Sequence, residues 1–199
     1  HPHGRAGERA VSGLISAAAI AAALGQFPPT DEQAAVIESD LEPALVVAGA
    51  GSGKTETMAG RVVWLVANGL VRRDQILGLT FTRKAAGELA ERIQRRLARL
   101  AEFERRGLLG SLEDLHRRGE LAGFGEIERS GGSDDDRRRL LDRLAERQTA
   151  AAGPVEDADD LLDRPTVSTY NSFADGIVRE HAARIGRDAA LRPVDDAER

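Results

Sequence analysis

The chain has 199 residues, which is enough for one compact α/β domain with a core of its own. It contains no cysteine, which excludes disulfide frameworks and thiolate metal sites and is compatible with a reducing cytoplasm. Its net charge is −5 with 31% charged residues, so no overall basic surface indicates a nucleic-acid partner. We therefore expect a cytoplasmic protein whose function has to be inferred from local patterns.

The charge is unevenly distributed along the chain. Residues 71–106 contain ten Arg or Lys and five Asp or Glu, whereas residues 154–163 contain five acidic residues and no basic one. A basic segment can follow a phosphate backbone, but an ordinary solvated helix face has the same composition. No stretch reaches the roughly 20 apolar residues of a membrane span, so we expect no membrane partner.

Residues 1–26 are predicted to form a polar tail and a short helix. Residues 1–10 are polar and rich in glycine, which is typical of disorder. The alanine-rich run that follows predicts a helix from Ser16, its N-cap, to Leu24, with Gly25 just after its end. Residues 11–24 could also be a signal-peptide core, but the glycine-rich pattern downstream is typical of a cytosolic nucleotide site.

A second helix is predicted after two prolines, Pro28 and Pro29. Thr30 and Gln33 have the spacing of a capping box, in which the Gln33 side chain bonds back to the start of its own helix. An amide at this position could instead read the N6 and N7 edge of adenine. One side chain cannot fill both roles at once, and the sequence leaves both open.

The strongest functional signal is ALVVAGAGSGKTET, residues 44–57. Residues 44–48 predict a buried strand that leads into a glycine-rich turn and then a helix. Gly49, Gly51 and Gly53 can take positive φ and direct backbone N–H groups toward phosphate oxygens, and the helix dipole adds positive potential. The pattern predicts a phosphate-binding loop for ATP, in which Lys54 reaches the β- and γ-phosphates and Thr55 binds Mg²⁺.

This loop departs at one position from the strict spacing G-x-x-x-x-G-K-[ST], since Ala48 stands where the pattern has glycine. A small residue with ordinary strand-end geometry can serve there. A chance glycine-rich turn is the alternative, but it would give the Lys-Thr pair no structural role. The predicted catalytic residues are Lys54 and Thr55. The predicted nucleotide-binding residues are Gln33, Ala48, Gly49, Ala50, Gly51, Ser52, Gly53, Lys54, Thr55 and Glu56.

Two periodic helices are predicted to follow the loop and the next strand. The helix after the loop should bury Met58, Val62, Leu65 and Val66 and end near residues 68–69. Residues 75–81, QILGLTF, predict a second buried strand. The long helix after this strand should bury Leu89, Ile93, Leu97 and Leu100 and turn Arg92, Arg95, Arg96 and Arg99 mostly outward.

The turn between this strand and its helix is a candidate nucleic-acid site. Ligand sites of open parallel sheets lie beyond the carboxyl ends of the strands, so the turn should face the same crevice as the phosphate loop. Thr80 and Thr82 offer hydroxyl groups, and Phe81 could stack on a base of a single strand. Alternatively, Thr82 merely caps the helix and Phe81 belongs to the core.

Residues 101–164 differ in character, with glycine breaks and charge blocks. They predict an insertion that packs loosely on the domain or is partly disordered, with helix in residues 133–148. His116 is isolated there and is more typical of a surface residue than of a ligand.

The strand pattern returns at residues 166–170, and a helix is predicted to begin at Asn171. Its apolar stripe should contain Phe173, Ile177, His181 and Ile185 and end at Gly186. Tyr170, Asn171 and Ser172 again place an aromatic ring, an amide and a hydroxyl at the end of a strand. Two such turns next to one phosphate loop favour nucleic-acid binding more than either turn alone.

Together these segments resemble the first half of the superfamily 1 DNA helicases of the UvrD/PcrA/RecB kind. PPTDEQAAVI is similar to the Q motif of that family, VVAGAGSGKT to its motif I, and LGLTFTRKAAGELAERI to its motif Ia. TVSTYNSFADGIVREH is similar to its next motif that contacts single-stranded DNA. The sequences of these motifs are most similar to those in the helicase subunits of actinobacterial two-subunit helicase-nucleases that resect double-strand breaks.

The resemblance implies an ATP- and Mg²⁺-dependent motor that moves 3′ to 5′ on single-stranded DNA, separates duplex DNA, and has a candidate partner in a second helicase-nuclease subunit. It implies an α/β fold with a P-loop RecA-like parallel sheet flanked by helices and a helical or partly disordered insertion. The expected organisation is a tail (1–26), the first part of the ATP-binding domain (27–100), the insertion (101–164), and the continued domain (165–199). By position, Gln33 would recognise adenine, and Thr80, Phe81, Thr82, Tyr170, Asn171 and Ser172 would line the DNA path.

The chain also departs from that family. Glu56 stands where relatives usually have an arginine that packs near the base, and residues 169–171 read Thr-Tyr-Asn instead of Thr-Phe-His. The chain has no initiator Met and contains neither the strand ending in Asp-Glu nor a second domain with an arginine finger. We therefore expect a piece of a longer polypeptide that binds nucleotide but is inactive alone. A P-loop phosphotransferase of small molecules and a non-catalytic, DNA-binding motor subunit remain the alternatives.

Overall fold

The computed structural model describes residues 13–49, 51–149 and 165–181. These contain helices α1 (Ala17–Ala23), α2 (Asp31–Ile37), α3 (Lys54–Ala67), α4 (Arg83–Arg105), α5 (Leu112–Arg117), α6 (Ala122–Arg129), α7 (Asp134–Thr149) and α8 (Tyr170–His181). Two strands, β1 (Leu77–Thr80) and β2 (Thr166–Thr169), and two short 3₁₀ turns complete the described elements. The predictions for residues 1–10, for Ala50, for residues 150–164 of the insertion and for residues 182–186 lie outside the described residues.

The two strands form a parallel pair. Leu77 is aligned with Thr166 and Thr80 with Thr169, so both strands end at the same edge. A parallel pair requires a long crossover connection, and here helices α4 to α7 lie between the two strands in the chain. The described part is therefore a mixed α/β structure with a small parallel sheet, which confirms the fold class in its coarse form.

The strand predicted for residues 44–48 is not present. Residues 44–49 have no strand assignment, and Leu45 and Val47 are 89% and 88% exposed. A strand needs a neighbour for its backbone N–H and C=O groups, and the described sheet consists of β1 and β2. Residues 44–48 are therefore apolar in sequence but exposed in the described structure.

The first two helices begin directly after the capping residues that the sequence predicts. Ser16 caps α1 by accepting from the Ala19 N–H at 3.1 Å, and Gly25 follows this helix with φ of 74°. Thr30 and Gln33 form the predicted capping box at the start of α2. The end of α2 is held by Arg61 of α3, whose guanidinium donates to the carbonyl oxygens of Val36, Ile37, Ser39 and Asp40.

The buried face of α3 is only partly the predicted one. Leu65 is buried and Val62 and Val66 pack against the core as predicted, but Val63 and Trp64 are buried as well and Met58 is 46% exposed. The Trp64 indole donates to the carbonyl oxygen of Ile15 at 2.8 Å, and Asn68 accepts from the Ile15 N–H at 2.7 Å. The chain entering α1 therefore decides which side of α3 is covered, and this contact between distant segments leaves no periodic signal in α3 itself.

The helices of the insertion are closely packed, and the prediction of loose packing was wrong. Phe103 and Phe124 are fully buried, with ring centroids 5.2 Å apart. Leu108, Leu112, Leu115, Leu121, Leu141 and Leu144 belong to the same core cluster as α1 and α3. The predicted helix in residues 133–148 is present as α7. Among the described residues, no helix combines the length and apolar composition needed to cross a membrane.

Candidate nucleotide and nucleic-acid sites

The described part of the glycine-rich loop contains two glycines in the conformation that the predicted phosphate site uses. Gly51 and Gly53 take positive φ, 76° and 80°, whereas Gly49 does not. Gly53 is the N-cap of α3, and Thr57 N–H donates to its carbonyl oxygen at 2.9 Å, as in the first turn of a regular helix. The N–H groups that precede this bond lie at the positive end of the helix dipole, where anions bind.

Lys54 lies where the loop curls back on itself. Its Nζ donates to the carbonyl oxygens of Ala48 at 2.9 Å and Gly49 at 2.6 Å. Both Lys54 and the neighbouring Thr55 are exposed. The loop therefore brings a cation, a hydroxyl group and the start of a helix into one place. This arrangement is compatible with the phosphate site that the sequence predicts.

Gln33 contacts both the start of α2 and the loop. Its Oε1 accepts from the Thr30 N–H at 3.1 Å, which confirms the capping role, and its Nε2 donates to the Ser52 carbonyl oxygen at 3.2 Å. A Cβ at Gly53 would lie 2.8 Å from the same Nε2. The Gln33 side chain therefore lies between the start of its own helix and the loop, and the space that it occupies is available because Gly53 has no Cβ.

A cavity of about 510 Å³ adjoins this contact. Its walls come mainly from α1, the connection between α1 and α2, and α3, with apolar surface from residues such as Ile20 and Trp64. The polar lining residues are Gln26, Gln33, Glu56, Thr57, Arg96, Glu128 and Arg129. A cavity of this kind, apolar with a few placed polar groups, is typical of sites that bind small molecules.

Glu56 lies at the centre of an ion-pair cluster. Its carboxylate accepts from Arg92 Nη1 at 3.0 Å and from Arg96 Nη2, both of α4. With the Gln26 amide oriented so that its oxygen faces Arg96, this oxygen accepts from Arg96 Nε at 2.7 Å and Nη2 at 2.9 Å. Burial lowers the pKa of Arg96, and the hydrogen bond and charge of Glu56 act in the opposite direction.

This cluster corrects the prediction that the arginines of α4 point mostly outward, since Arg96 is only 7% exposed. Sequence reasoning missed it because Arg96 reads as part of the polar face of an amphipathic helix. A signal was available in the spacing, because Arg92 and Arg96 are four residues apart and so lie on one face of α4.

The second candidate site lies where β1 and β2 end. Phe81 follows β1 and is 90% exposed, and Tyr170 follows β2 and is 50% exposed. The alternative that both rings belong to the core is therefore not supported by the described residues. Thr82 accepts from the Ala85 N–H at 3.1 Å, so it does cap α4 as predicted.

The polar residues of these two turns also bond locally. Thr80 Oγ1 donates to the carbonyl oxygen of Thr82 at 3.1 Å. The Thr169 hydroxyl donates to Ser172 Oγ at 2.8 Å and accepts from the Ser172 N–H at 3.1 Å, which caps α8 one residue before its start. Asn171 is exposed beside them. The predicted residues are thus brought together at one edge of the sheet.

His116 is half-buried, and no group of three potential metal-binding side chains occurs in the part of the chain that the structure describes.

Comparison with known proteins decides the family. Residues 29–199 match the family described as UvrD/REP helicase N-terminal domain. The chain belongs to the UvrD/REP helicase family. This match covers the phosphate loop and both turns with exposed aromatic rings, so the resemblance seen in the motifs is confirmed.

Individual relatives within this family match over different parts of the chain. ATP-dependent DNA helicase UvrD1 of Mycobacterium leprae is 51% identical over 67 residues, 34% of this chain and 8% of the relative. DNA helicase II of Haemophilus influenzae is 38% identical over 89 residues, 44% of this chain and 12% of the relative. An ATP-dependent helicase/nuclease subunit of Pelotomaculum thermopropionicum is 31% identical over 171 residues, 85% of this chain and 10% of the relative. The matched regions thus span about a tenth of the length of these relatives.

Proposed function

We propose that the full-length protein is an ATP-dependent DNA helicase that translocates 3′ to 5′ on single-stranded DNA, and that this chain contributes its ATP-binding part. The observation that carries the proposal is the phosphate loop at the start of α3, with Lys54 folded into it and Gln33 bonded to its backbone. Family membership and the names of the relatives, which are ATP-dependent DNA helicases and helicase/nuclease subunits, support it.

In this proposal the loop N–H groups and Lys54 hold the β- and γ-phosphates of ATP, and Thr55 holds Mg²⁺. Bound Mg²⁺ would neutralise charge on the phosphate oxygens. Gln33 would recognise adenine from its position beside the loop, where it lines the neighbouring cavity, and its amide would exchange the bonds to Thr30 and Ser52 for bonds to the base. The parallel pair of β1 and β2 would be part of a RecA-like parallel sheet in the full-length protein.

Single-stranded DNA would pass along the edge where β1 and β2 end. Phe81 and Tyr170 would stack on bases, and Thr80, Thr82, Asn171 and Ser172 would donate to phosphate oxygens. Resection of DNA ends together with a second helicase-nuclease subunit is the cellular role that we favour, because a relative that covers most of this chain carries a helicase/nuclease name.

The test is Lys54→Ala in the full-length protein. Loss of the cation leaves γ-phosphate charge uncompensated in the transition state, which typically costs about 3 kcal/mol or more. DNA-stimulated ATP hydrolysis should therefore fall at least a hundredfold while the melting temperature is unchanged. Arg117→Ala is the control, because Arg117 is exposed and pairs with Asp114 on its own helix, away from the loop.

Two outcomes would contradict the proposal. Hydrolysis by Lys54→Ala within threefold of wild type would show that this loop is not the catalytic one. Hydrolysis by the wild-type protein that does not respond to DNA, but responds to a small phosphate acceptor, would instead indicate a phosphotransferase.

A further inference from the structure

The ion-pair cluster around Glu56 joins the two helices that begin at the two candidate sites. Glu56 lies in the first turn of α3, two residues after Lys54. Arg92 and Arg96 lie on α4, which begins at Arg83, directly after the turn that carries Phe81. At 1.5 Å per residue, roughly 15 to 20 Å of continuous helix separate these arginines from that turn.

The cluster is suited to fix α4 in place. Arg96 is buried, and a buried guanidinium is stable only when its N–H groups are bonded to partners. Those partners are the Glu56 carboxylate on α3 and the Gln26 amide before α2, so one side chain of α4 is held from two other segments. Arg92 adds a second bond to the same carboxylate at 3.0 Å.

Neighbouring arginines of α4 do not make this connection. Arg95 pairs with Glu91 one turn earlier on its own helix. Arg99 bonds to Glu128 of α6 at 3.1 Å. Among the ion pairs of the described residues, Arg92 and Arg96 make those that join α4 to the first turn of α3.

We propose that Glu56, Arg92 and Arg96 are positioning residues that hold the Phe81 turn in register with the phosphate loop, so that DNA bound at the turn stimulates hydrolysis at the loop. This inference rests on the proposed helicase function.

The experiment measures ATP hydrolysis by the full-length protein with and without single-stranded DNA in three variants. Arg96→Gln removes the buried charge, Arg92→Ala removes only the half-buried one, and Arg95→Ala is the matched control on the same helix. We expect Arg92→Ala to lower the DNA stimulation factor at least threefold and Arg96→Gln at least tenfold. The KM for ATP without DNA should stay within twofold of wild type in Arg92→Ala and Arg95→Ala, and Arg95→Ala should be stimulated normally.

A merely structural role predicts a different pattern. Hydrolysis with and without DNA would then fall by the same factor, in step with the melting temperature. If Arg96→Gln does not fold, Arg92→Ala decides, because Arg92 is 39% exposed in its side chain and Arg96 still holds Glu56.

The result also separates this inference from the function on which it rests. If DNA does not stimulate ATP hydrolysis by the wild-type protein, the proposed helicase function is wrong, and the positioning role that rests on it is wrong as well. Normal stimulation of wild type, Arg92→Ala and Arg96→Gln alike overturns the positioning role and leaves the helicase function intact.

Discussion

The rings of Phe81 and Tyr170 lie side by side, with centroids 5.3 Å apart and planes tilted by 35°. The strand register that aligns Thr80 with Thr169 places the next residue of each segment at the same edge. Both rings are largely open to solvent, although aromatic side chains gain most by burial. An exposed aromatic pair at the carboxyl ends of parallel strands is a suitable surface for the bases of a single strand.

Replacing both rings tests this surface. Stacking is worth roughly 1 to 3 kcal/mol per base, so Phe81→Ala with Tyr170→Ala should weaken binding of single-stranded DNA by the full-length protein at least tenfold. ATP affinity without DNA should stay nearly unchanged. DNA titrations and melting curves on the same samples check both points. A loss of about 3 to 5 kcal/mol of stability per ring, with damage to every activity, would assign the rings to a core instead.

A second prediction concerns Gln33. If its amide recognises adenine, Gln33→Ala should weaken ATP binding at least tenfold more than CTP binding. Thr30→Ala is the matched control, because it removes the capping hydroxyl and leaves Gln33 beside the loop. That control should cost up to about 1 kcal/mol of stability and keep the preference for ATP. Equal losses of ATP and CTP in Gln33→Ala would assign the side chain to capping and loop support alone.

Local signals in the sequence predicted the helix starts and the edge where β1 and β2 end. Ser16, Thr30 and Thr82 all cap helices as expected, because a cap depends on only a few neighbouring residues. The alignment of the two turns followed from a general property of parallel sheets. Their proximity could therefore be predicted without knowing how the helices pack.

Contacts between distant segments could not be predicted in this way. The buried residues of the insertion are spread over α5, α6, α7 and the connections between helices, and α5 and α6 are too short to be stable alone. The ion pairs of Glu56 with Arg92 and Arg96 depend on how α3 and α4 cross. Such relationships are set by packing, and a pattern within one helix does not contain them.

The packing of the insertion yields a third prediction. Phe124 is fully buried against Phe103, and Arg137 lies over its ring at 5.0 Å. Phe124→Ala should lower the free energy of unfolding by about 3 to 5 kcal/mol, because it leaves a cavity in the main core. Denaturant unfolding measures the loss, with exposed Phe27→Ala as the control. A change below about 1 kcal/mol would mean that the insertion packs independently of the core.

The last prediction uses two glycines of the phosphate loop that share a backbone conformation but differ in surroundings. Gly51 and Gly53 have φ of 76° and 80°, so alanine at either position should cost roughly 1 to 2 kcal/mol of stability. A Cβ at position 51 meets nothing within 4 Å, whereas a Cβ at position 53 would lie 2.8 Å from Gln33 Nε2. The end of a glutamine side chain can move, so this contact should displace Gln33 without adding much to the loss of stability.

Gly53→Ala should therefore resemble Gln33→Ala in its nucleotide preference, and Gly51→Ala should not. We expect both glycine variants to bind ATP more weakly, with the preference for ATP over CTP lost in Gly53→Ala and kept in Gly51→Ala. Adding Gln33→Ala to Gly53→Ala should then change the preference no further, since the two substitutions act on one contact and are not additive. Nucleotide titrations of the four variants check this. A Gly53→Ala protein that keeps its full preference for ATP would show that the position of Gln33 beside the loop does not determine base recognition.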